Sequence, residues 1–234
     1  MSALYLYGVT RPRELPQRLS DRGLFLLAHE ERAAIVSELD ASPVQPSRHN
    51  LLAHADAVEE MHETGVVLPA RFGTVLDDED AARELLALPD IELLLERHRD
   101  NSELTLKGTY EETILAEMTR SLEPLRDAYR RAPTLEAGLA LGEAVTAALS
   151  DRRARDLDTV VRRIEGLAEQ IVVSEPLGEY GALDLALLVR RDAVAPLEAA
   201  LEELTKELSP PLHLRLVGPL PPYSFVSLEL PAAV

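Results

Sequence analysis

The chain has 234 residues, and its 41 acidic side chains outnumber the 24 basic ones to give a formal net charge of -17. This excess argues against a nucleic-acid partner and against a lipid membrane surface, because anionic partners are bound through clustered Lys and Arg. The absence of Cys excludes disulfides, thiolate nucleophiles and Cys-ligated zinc. No secretory signal or apolar run of roughly 20 residues is visible, so we expect a soluble, cytoplasmic protein.

The first hundred residues have the pattern of a mixed α+β sheet domain. "ALYLYGV" predicts a buried central strand that is ended by Gly8 and the Pro12 region, and "GLFLLAHE" and "AAIVSELD" predict two further strands. Ser47 is suited to cap a helix in which apolar residues recur at steps of three and four from Leu51 to Met61. "VVLPARF" predicts a short strand interrupted by Pro69, and "DDED" is typical of an acidic helix start. The order is β-β-β-α-β with extra helices, over residues 1–100.

The second half, residues 101–234, predicts a ferredoxin-like domain with long helices. "ELTLKGTYEE" alternates like a strand and is followed by a long helical region through "RRARDLDTVVRRIEGLAEQ". "IVVSEP", "ALDLALLVRR", the amphipathic "PLEAALEELTKEL" and "LHLRLV" then complete a β-α-β-β-α-β series, which is the split βαβ order. We expect the domain to end in a proline corner and a last strand in which Val226, Leu228 and Leu230 face a core. No exact internal repeat is visible.

The histidines and acidic pairs form no catalytic constellation in the sequence. His49 and His54 lie five residues apart, about 140° around a helix axis, which is poor geometry for binding one metal ion. "HETGV" lacks the second His of a zincin helix, and no P-loop, dinucleotide-binding or nucleophile-elbow motif is present. His54 is expected in the apolar stripe, with its ring nitrogens bonded to backbone or a carboxylate. We therefore predict no catalytic residue, no cofactor and no metal site.

Two stretches have residues that general packing does not explain. In "VVLPARFGTVL", Arg71 and Phe72 lie between Pro69 and Gly73, a strand-and-turn setting that fixes both side chains. The alternative is a core Phe beside an arginine that forms an ion pair with a neighbouring helix.

The second stretch is "GPLPPYSFVSLEL", which lies close to the C-terminus. Its prolines Pro219, Pro221 and Pro222 cannot donate backbone hydrogen bonds, so the segment cannot be a central strand where they lie. The alternative is a rigid connection that directs the last strand onto a neighbouring sheet or domain.

Taken together, these segments resemble the GvpF/GvpL family of gas vesicle accessory proteins over the length of the chain. The resemblance is carried in order by "ALYLYGV", "LLAHADAVEEMHETGVVLPARFGTVL", "ELTLKGTYEE", "LDLALLVRRD" and "LHLRLVGPLPPYSFV". The sequence departs from many relatives at Leu220, where they carry Trp, and at Ala70, which follows the Leu-Pro pair. The resemblance leaves open whether the chain is the F or the L paralogue.

The resemblance implies a two-domain α+β protein that is required for gas vesicle formation, and hence for buoyancy. Such proteins are not known as enzymes. They are thought to bind the hydrophobic shell protein and other gas vesicle accessory proteins during assembly. This role would be chaperone-like, because a shell subunit with exposed apolar surface aggregates unless another protein covers it. They act in the cytoplasm, in association with gas vesicles. One alternative is a minor structural component of the finished vesicle shell. A remote alternative is an enzyme on a ferredoxin-like scaffold, with a pocket near His54 and Arg71.

The candidate partner-binding or family-motif residues are His54, Pro69, Arg71, Phe72, Gly73, Gly218, Pro219, Pro221, Pro222, Tyr223 and Phe225. Arg71 and the aromatic residues of the proline corner are the leading candidates among them. Edge strands of either sheet could also take up a partner strand.

Overall fold

The computed structural model describes residues 2–39, 44–208 and 212–228, and the chain divides into two compact units. Unit 1 comprises Met1–Leu104, Leu188–Arg191 and Gly218–Val234, and unit 2 comprises Thr105–Leu187 and Asp192–Val217. The strands are β1 (Leu4–Thr10), β2 (Leu24–His29), β3 (Arg32–Glu38), β4 (Val67–Pro69), β5 (Val75–Leu76), β6 (Asn101–Tyr110), β7 (Gln170–Ser174), β8 (Gly181–Arg190) and β9 (Leu212–Leu220). The helices are α1 (Gln17–Asp21), α2 (Arg48–Glu63), α3 (Glu79–Ala87), α4 (Pro89–Arg97), α5 (Thr113–Ser121), α6 (Glu123–Arg131), α7 (Leu135–Ile164) and α8 (Val194–Glu207). The predicted α+β class is therefore confirmed, while the division into residues 1–100 and 101–234 stays a prediction.

The sheet of unit 1 has the strand order β2-β3-β1-β4, with β5 also paired to β1. Strand β1 is apolar on both faces because helices cover both. Leu6 belongs to a buried cluster that contains Leu85 of α3 and Leu95 of α4. Ile35 of β3 belongs to a second cluster, which contains Met61 of α2. A sheet covered on both faces has strands without a polar side, which is the pattern that "ALYLYGV" shows.

Strand β1 passes through Gly8 and ends at Thr10, so it stops just before the Pro12 region as expected, while the part assigned to Gly8 is wrong. The pairing register with β3 shifts between Leu6 and Gly8, which marks a β-bulge. Here the backbone of β4 approaches closely: a Cβ at Gly8 would lie 2.6 Å from the carbonyl oxygen of Leu68. Gly8 therefore serves the pairing of β1 with β4 and does not end the strand.

Unit 1 has the split βαβ order that the sequence predicts only for the second half. Helix α1 connects β1 to β2, helix α2 connects β3 to β4, and the sheet order places β1 between β3 and β4. Sequence reasoning missed this because α1 has only five residues, too few to show a helical period. The polar caps of α2 and α3 were predicted better. Ser47 accepts from the amide of Asn50 at the start of α2, and Asp78 accepts from the amide of Ala81 at the start of α3.

Unit 2 confirms the ferredoxin-like order. Its sheet runs β7-β8-β6-β9, and three helices, α5 to α7, fill the first crossover while α8 fills the second. The 30-residue helix α7 is anchored by its C-terminal part, where Asp156, Val160 and Ile164 are buried. Helix α8 buries the stripe of Leu197, Leu201 and Leu204. Those two helix segments, together with Ile114 of α5, contribute to the core of this unit.

The predicted last strand is wrong within the described residues. Strand β9 extends to Leu220 and contains Pro219, which is tolerated because β9 is at the sheet edge. A turn follows at residues 223–225, and no strand is present up to residue 228. The amides of Phe225 and Val226 bond to the carbonyl of Pro222, both at 3.1 Å, so they are not available to a ladder. Val226 and Leu228 still pack against the core of unit 1, and Leu230 lies outside the described residues.

Candidate functional site

An open groove of about 570 Å³ lies in unit 1 between helix α2, the turn after β4 and the C-terminal turn. Six of the candidate residues line it: His54, Pro69, Arg71, Phe72, Tyr223 and Phe225. Leu51 and Val226 add aliphatic surface to its walls. Segments more than 150 residues apart in sequence, such as those of Phe72 and Tyr223, thus meet at one site. The two stretches singled out in the sequence, "VVLPARFGTVL" and "GPLPPYSFVSLEL", therefore both contribute to this groove.

His54 is the most constrained side chain of the groove. It is 6% exposed, and its Nδ1 accepts from the hydroxyl of Tyr5 at 2.9 Å. Its Nε2 lies 3.2 Å from the carbonyl oxygen of Ala70, which can only accept, so Nε2 carries the proton. Burial lowers the pKa of His54 from its ordinary value. The imidazole is therefore neutral with both nitrogens bonded: Nε2 has the expected backbone partner, while Nδ1 is bonded by a tyrosine hydroxyl and not by a carboxylate.

Three aromatic rings surround His54, and two of them, Tyr5 and Tyr7, line a smaller cavity of about 120 Å³ that shares His54 and Phe72 with the groove. The ring of Tyr7 stacks on His54 with centroids 5.4 Å apart, and Tyr5 and Phe72 meet it edge-on at 5.7 and 5.8 Å. Tyr5 also accepts from the amide of Gly73 at 3.1 Å. Sequence reasoning identified His54 and Phe72 but missed Tyr5 and Tyr7, although the two tyrosines of "ALYLYGV" were the available signal.

Arg71 projects from the tight turn that follows β4. The amide and hydroxyl of Thr74 both bond to the carbonyl of Arg71, at 3.1 and 2.7 Å, and Gly73 supplies the positive φ of 85°. The Arg71 side chain is exposed, and it forms no salt bridge with any carboxylate in the described ranges. The alternative of an ion pair with a neighbouring helix is therefore wrong. Arg71 instead presents its guanidinium at the rim of the groove.

A buried carboxylate holds the C-terminal wall of the groove. Glu103, near the start of β6, is 4% exposed and accepts from the amide of Ser224 at 2.6 Å and from its hydroxyl at 2.9 Å. Burial raises the pKa of Glu103, and the two bonds from Ser224 oppose that shift. Pro221 and Pro222, both buried, precede the turn. Glu103 had no distinguishing signal, because it reads as one polar residue of an alternating strand.

Gly218 and Pro219 shape the chain before the turn and do not line the groove. A Cβ at Gly218 would lie 2.8 Å from the carbonyl oxygen of Glu103, and its φ of 137° also favours glycine. The Gly218–Pro219 peptide bond is cis. With Gly73, Pro221 and Pro222, these residues set backbone geometry, while the six lining residues offer the surface.

Acidic side chains flank the groove on the exposed face of α2. Asp56, Glu59, Glu60 and Glu63 line a neighbouring shallow depression together with Arg18. Burial, followed by the charges of Asp56 and Glu63, raises the pKa of Glu59. Burial and the carboxylates of Glu59 and Glu103 raise the pKa of Tyr223. Among the residues that the structure describes, no three His, Asp or Glu side chains converge as metal ligands would.

We expect Glu103→Ala to release the C-terminal turn and to lower the free energy of unfolding of unit 1 by about 1–2 kcal/mol, since two charge-assisted bonds are lost at a partly exposed partner. Glu103→Gln keeps an acceptor for the Ser224 amide and should lose less than half as much. Amide exchange of residues 223–226 and the melting temperature measure both effects. Equal protection of these amides in the Ala variant and the native protein would contradict the anchor.

Comparison with known proteins identifies the family. The family described as "Gas vesicle synthesis protein GvpL/GvpF" matches residues 3–227. The chain belongs to the GvpL/GvpF family. It is 32% identical over 238 residues to "Gas vesicle protein F" of Streptomyces sp. (strain CB03234), with 95% of this chain and 98% of that protein covered. A protein of the same name from Dolichospermum flosaquae is 24% identical, with 97% and 98% covered.

Two solved structures share the fold of this member of the family. The crystal structure of gas vesicle protein GvpF from Anabaena sp. PCC7120 superposes with a TM-score of 0.81 at 22% identity, over 98% of this chain and 100% of that one. That of GvpF from Microcystis aeruginosa has a TM-score of 0.77 at 20% identity, over 96% and 99%. Within the described ranges, no helix has the length and apolar character needed to cross a lipid bilayer. The protein is thus a gas vesicle protein with the α+β fold of its family.

Proposed function

We propose that this protein is a non-catalytic accessory protein of gas vesicle formation, which binds the hydrophobic shell protein and other accessory proteins in the cytoplasm and on forming vesicles. The observation that carries the proposal is the groove of unit 1, which the rings of Phe72, Tyr223 and Phe225 line and which Arg71 borders. Membership of the GvpL/GvpF family supports the link to gas vesicle formation. The groove supplies a surface with the chemistry to hold an apolar segment.

The groove is preorganised, which favours binding. One wall is held by the bonds of His54 to Tyr5 and Ala70, and the other by those of Ser224 to Glu103. Because these side chains are already ordered, little conformational entropy is lost when a partner enters. Leu51 is 45% exposed and Tyr223 36%, so each still has apolar surface to bury. Arg71 at the rim can donate to a carbonyl or carboxylate of the partner.

The charge of the protein suits a partner that aggregates. A shell subunit with exposed apolar surface clumps in water unless that surface is covered. A bound protein of net charge -17 keeps such a complex dispersed by repulsion between copies. The acidic side chains of α2 beside the groove add to this repulsion and leave the apolar surface of the groove uncovered.

Catalysis at this groove is not part of the proposal. Both nitrogens of His54 are engaged by internal partners, so neither is free to take a proton from a substrate. The other polar side chains that line the groove are Arg71, Tyr223, Ser224 and Ser227. Arg71 donates but does not act as a base at neutral pH, the pKa of Tyr223 is raised by burial, and the Ser224 hydroxyl donates to Glu103. Purified protein that retained a small-molecule ligand at these residues would favour the enzyme alternative.

The test is co-purification of tagged protein with the shell protein from cells that express both. Arg71→Ala and Tyr223→Ala should each reduce the captured shell protein at least about fivefold, because Arg and Tyr are among the residue types that most often carry the affinity of an interface. The matched controls are Arg99→Ala and Tyr129→Ala, which remove an exposed arginine and a tyrosine of similar exposure outside the groove. Native capture by both groove variants would contradict the proposal.

Washing of intact vesicles distinguishes an assembly factor from a structural component of the shell. An assembly factor is expected to leave with repeated washing, whereas a minor component of the shell stays in a constant ratio to the shell protein. Retention at such a ratio would replace the assembly role by the structural one while leaving the groove as the contact.

A further inference from the structure

Strand β7 is an apolar edge strand of unit 2. The sheet order β7-β8-β6-β9 places it at one end, with β8 as its neighbour. Its sequence, QIVVS, contains three consecutive β-branched aliphatic residues, no charge and no proline. Such composition has high strand propensity, and the outer side of an edge strand presents backbone groups that a further strand can pair with.

Both faces of β7 are open as well as its edge. Val172 is 39% exposed and Val173 is 55% exposed, and successive residues of a strand point to opposite faces of the sheet. Its neighbour β8 is different, because Leu183, Leu185 and Leu187 are buried. The two valines of β7 thus contribute little to the core, and apolar side chains on both faces remain available to an added strand.

Soluble proteins usually protect such an edge, and β7 has none of the common devices. Proteins place a charged side chain, a proline or a bulge on an exposed edge to prevent pairing with other chains. The opposite edge of the same sheet has two of them, because β9 contains Arg215 and Pro219. The contrast between the two edges of one sheet indicates that β7 is kept open for a partner.

The charges next to β7 select the partner. Glu165 and Glu169 precede the strand and Glu175 and Glu179 follow it, and all four are exposed. An antiparallel second copy would bring acidic residues of both chains together at each end, and each copy has a net charge of -17. Like charges opposite one another destabilise strand pairing, whereas opposite charges stabilise it.

We propose that the free edge of β7 accepts an extended segment of another polypeptide, apolar at its centre and basic at its ends, as a fifth strand of the sheet of unit 2. Backbone hydrogen bonds supply the pairing, and Val172 and Val173 contact the apolar side chains on the two faces. The carboxylates of Glu165, Glu175 and Glu179 pair with Lys or Arg of the segment. This site is separate from the groove of unit 1 and goes beyond the function proposed for that groove.

The experiment uses the full chain and two fluorescent nine-residue peptides. One has the sequence Lys-Thr-Val-Val-Val-Val-Val-Thr-Lys, which is apolar on both faces, and the other has Glu at both ends. Fluorescence anisotropy at low salt should show binding of the Lys-ended peptide at least about tenfold tighter than that of the Glu-ended one. The difference should shrink in 1 M salt, where screening acts within roughly 3 Å. Amide exchange should show new protection within residues 170–174.

Val173→Asp places a charge on the open edge strand and should weaken binding of the Lys-ended peptide at least about tenfold. Val217→Asp is the matched control, because Val217 is 37% exposed on the opposite edge strand β9. Equal loss in both variants, protection of β9 instead of β7, no binding, or equal affinity for the two peptides would overturn the proposal. So would a dimer of the protein that Val173→Asp dissociates, since that outcome makes a second copy the occupant.

The two proposals fail separately. Arg71→Ala and Tyr223→Ala should leave peptide binding unchanged, because neither residue belongs to unit 2. Loss of shell-protein capture with retained peptide binding would support both sites, and loss of peptide binding in the groove variants would overturn the assignment to β7.

Discussion

Asp156→Ala is expected to destabilise unit 2 by about 3–5 kcal/mol, because it leaves the partly buried Arg152 without its counter-charge and the Tyr110 hydroxyl without its acceptor. Asp156, on α7, is 6% exposed and accepts from the Tyr110 hydroxyl at 2.8 Å and from Nε of Arg152 at 2.7 Å. The guanidinium of Arg152 also lies 5.9 Å from the centre of the Tyr110 ring. Burial, followed by the bond and the charge of Asp156, raises the pKa of Tyr110, so its hydroxyl remains a donor at neutral pH.

The measurement is the melting temperature together with amide exchange of β6 and α7, which Tyr110 and Asp156 connect. Asp158→Ala is the matched control, because Asp158 lies on the same helix and pairs with Arg162 at 3.0 Å while 59% exposed. An exposed pair contributes about 0–1 kcal/mol, so this control should change stability little. Asp156→Asn keeps an acceptor for Tyr110 and should fall between the two. A similar effect of the Asp156 and Asp158 substitutions would contradict the role of the buried triad.

Acidification is expected to remove roughly 3 kcal/mol of stability from unit 1 between pH 7 and pH 4 through one histidine, His62. His62 is 2% exposed, and burial, then the charges of Arg191 and Arg13, lower its pKa to about 4. The folded pKa lies below the unfolded value near 6.5, so the unfolded chain binds the proton more readily. The contribution is complete above pH 6.5 and is lost as the pH falls toward 4.

The geometry explains why His62 stays neutral. Its Nε2 lies 3.0 Å from the Ser102 hydroxyl and 3.4 Å from Nη2 of Arg191, so that nitrogen is an acceptor. The two arginines are held there by the end of α2: Arg191 donates to the carbonyl of His62 at 2.9 Å, and Arg13 to that of Met61 at 2.7 Å. Cations suit this position because the carbonyls at a helix C-terminus are partly negative. A protonated His62 would face both guanidinium groups.

Denaturant unfolding at a series of pH values checks this prediction. His62→Gln should flatten the loss of stability between pH 6.5 and pH 4, since the titrating group is absent. His49→Gln, an exposed change on the same helix, should leave the native pH profile unchanged. Burial also lowers the pKa of His54, so some acid sensitivity should remain in the His62 variant. A profile identical to that of the native protein would show that His62 does not govern acid stability.

The elements that sequence reasoning predicted well are those with a strong local signal. Strand β1 has apolar residues on both faces, and it is buried between two helical layers. Ser47 caps α2 as expected, and Asp78 of the acidic cluster caps α3. The order β-α-β-β-α-β of the second half was predicted because its helices are long enough to show a period. In each case neighbours in sequence determine the structure.

The features that sequence reasoning missed are elements too short to show a period and contacts between residues far apart in the sequence. Helix α1 is a single turn, so its period was invisible and the split βαβ order of unit 1 was missed. The strand expected after the prolines is a turn, because Glu103, more than 100 residues earlier, takes the amide of Ser224. No local pattern in either segment predicts that bond. The same applies to Tyr5, which contacts His54 and Gly73 across 49 and 68 residues.

For this protein, sequence alone determined the family, the α+β class and most of the candidate residues, because motifs and hydrophobic periods are local properties of a chain. Only the tertiary structure decided that His54, Arg71 and Phe72 share one groove with Tyr223 and Phe225, and that β7 is an open edge. Those facts depend on which distant segments pack together and which strand has no outer neighbour. The shared groove and the open edge each depend on burial and backbone pairing among distant segments of a unit. No single stretch of residues contains that information.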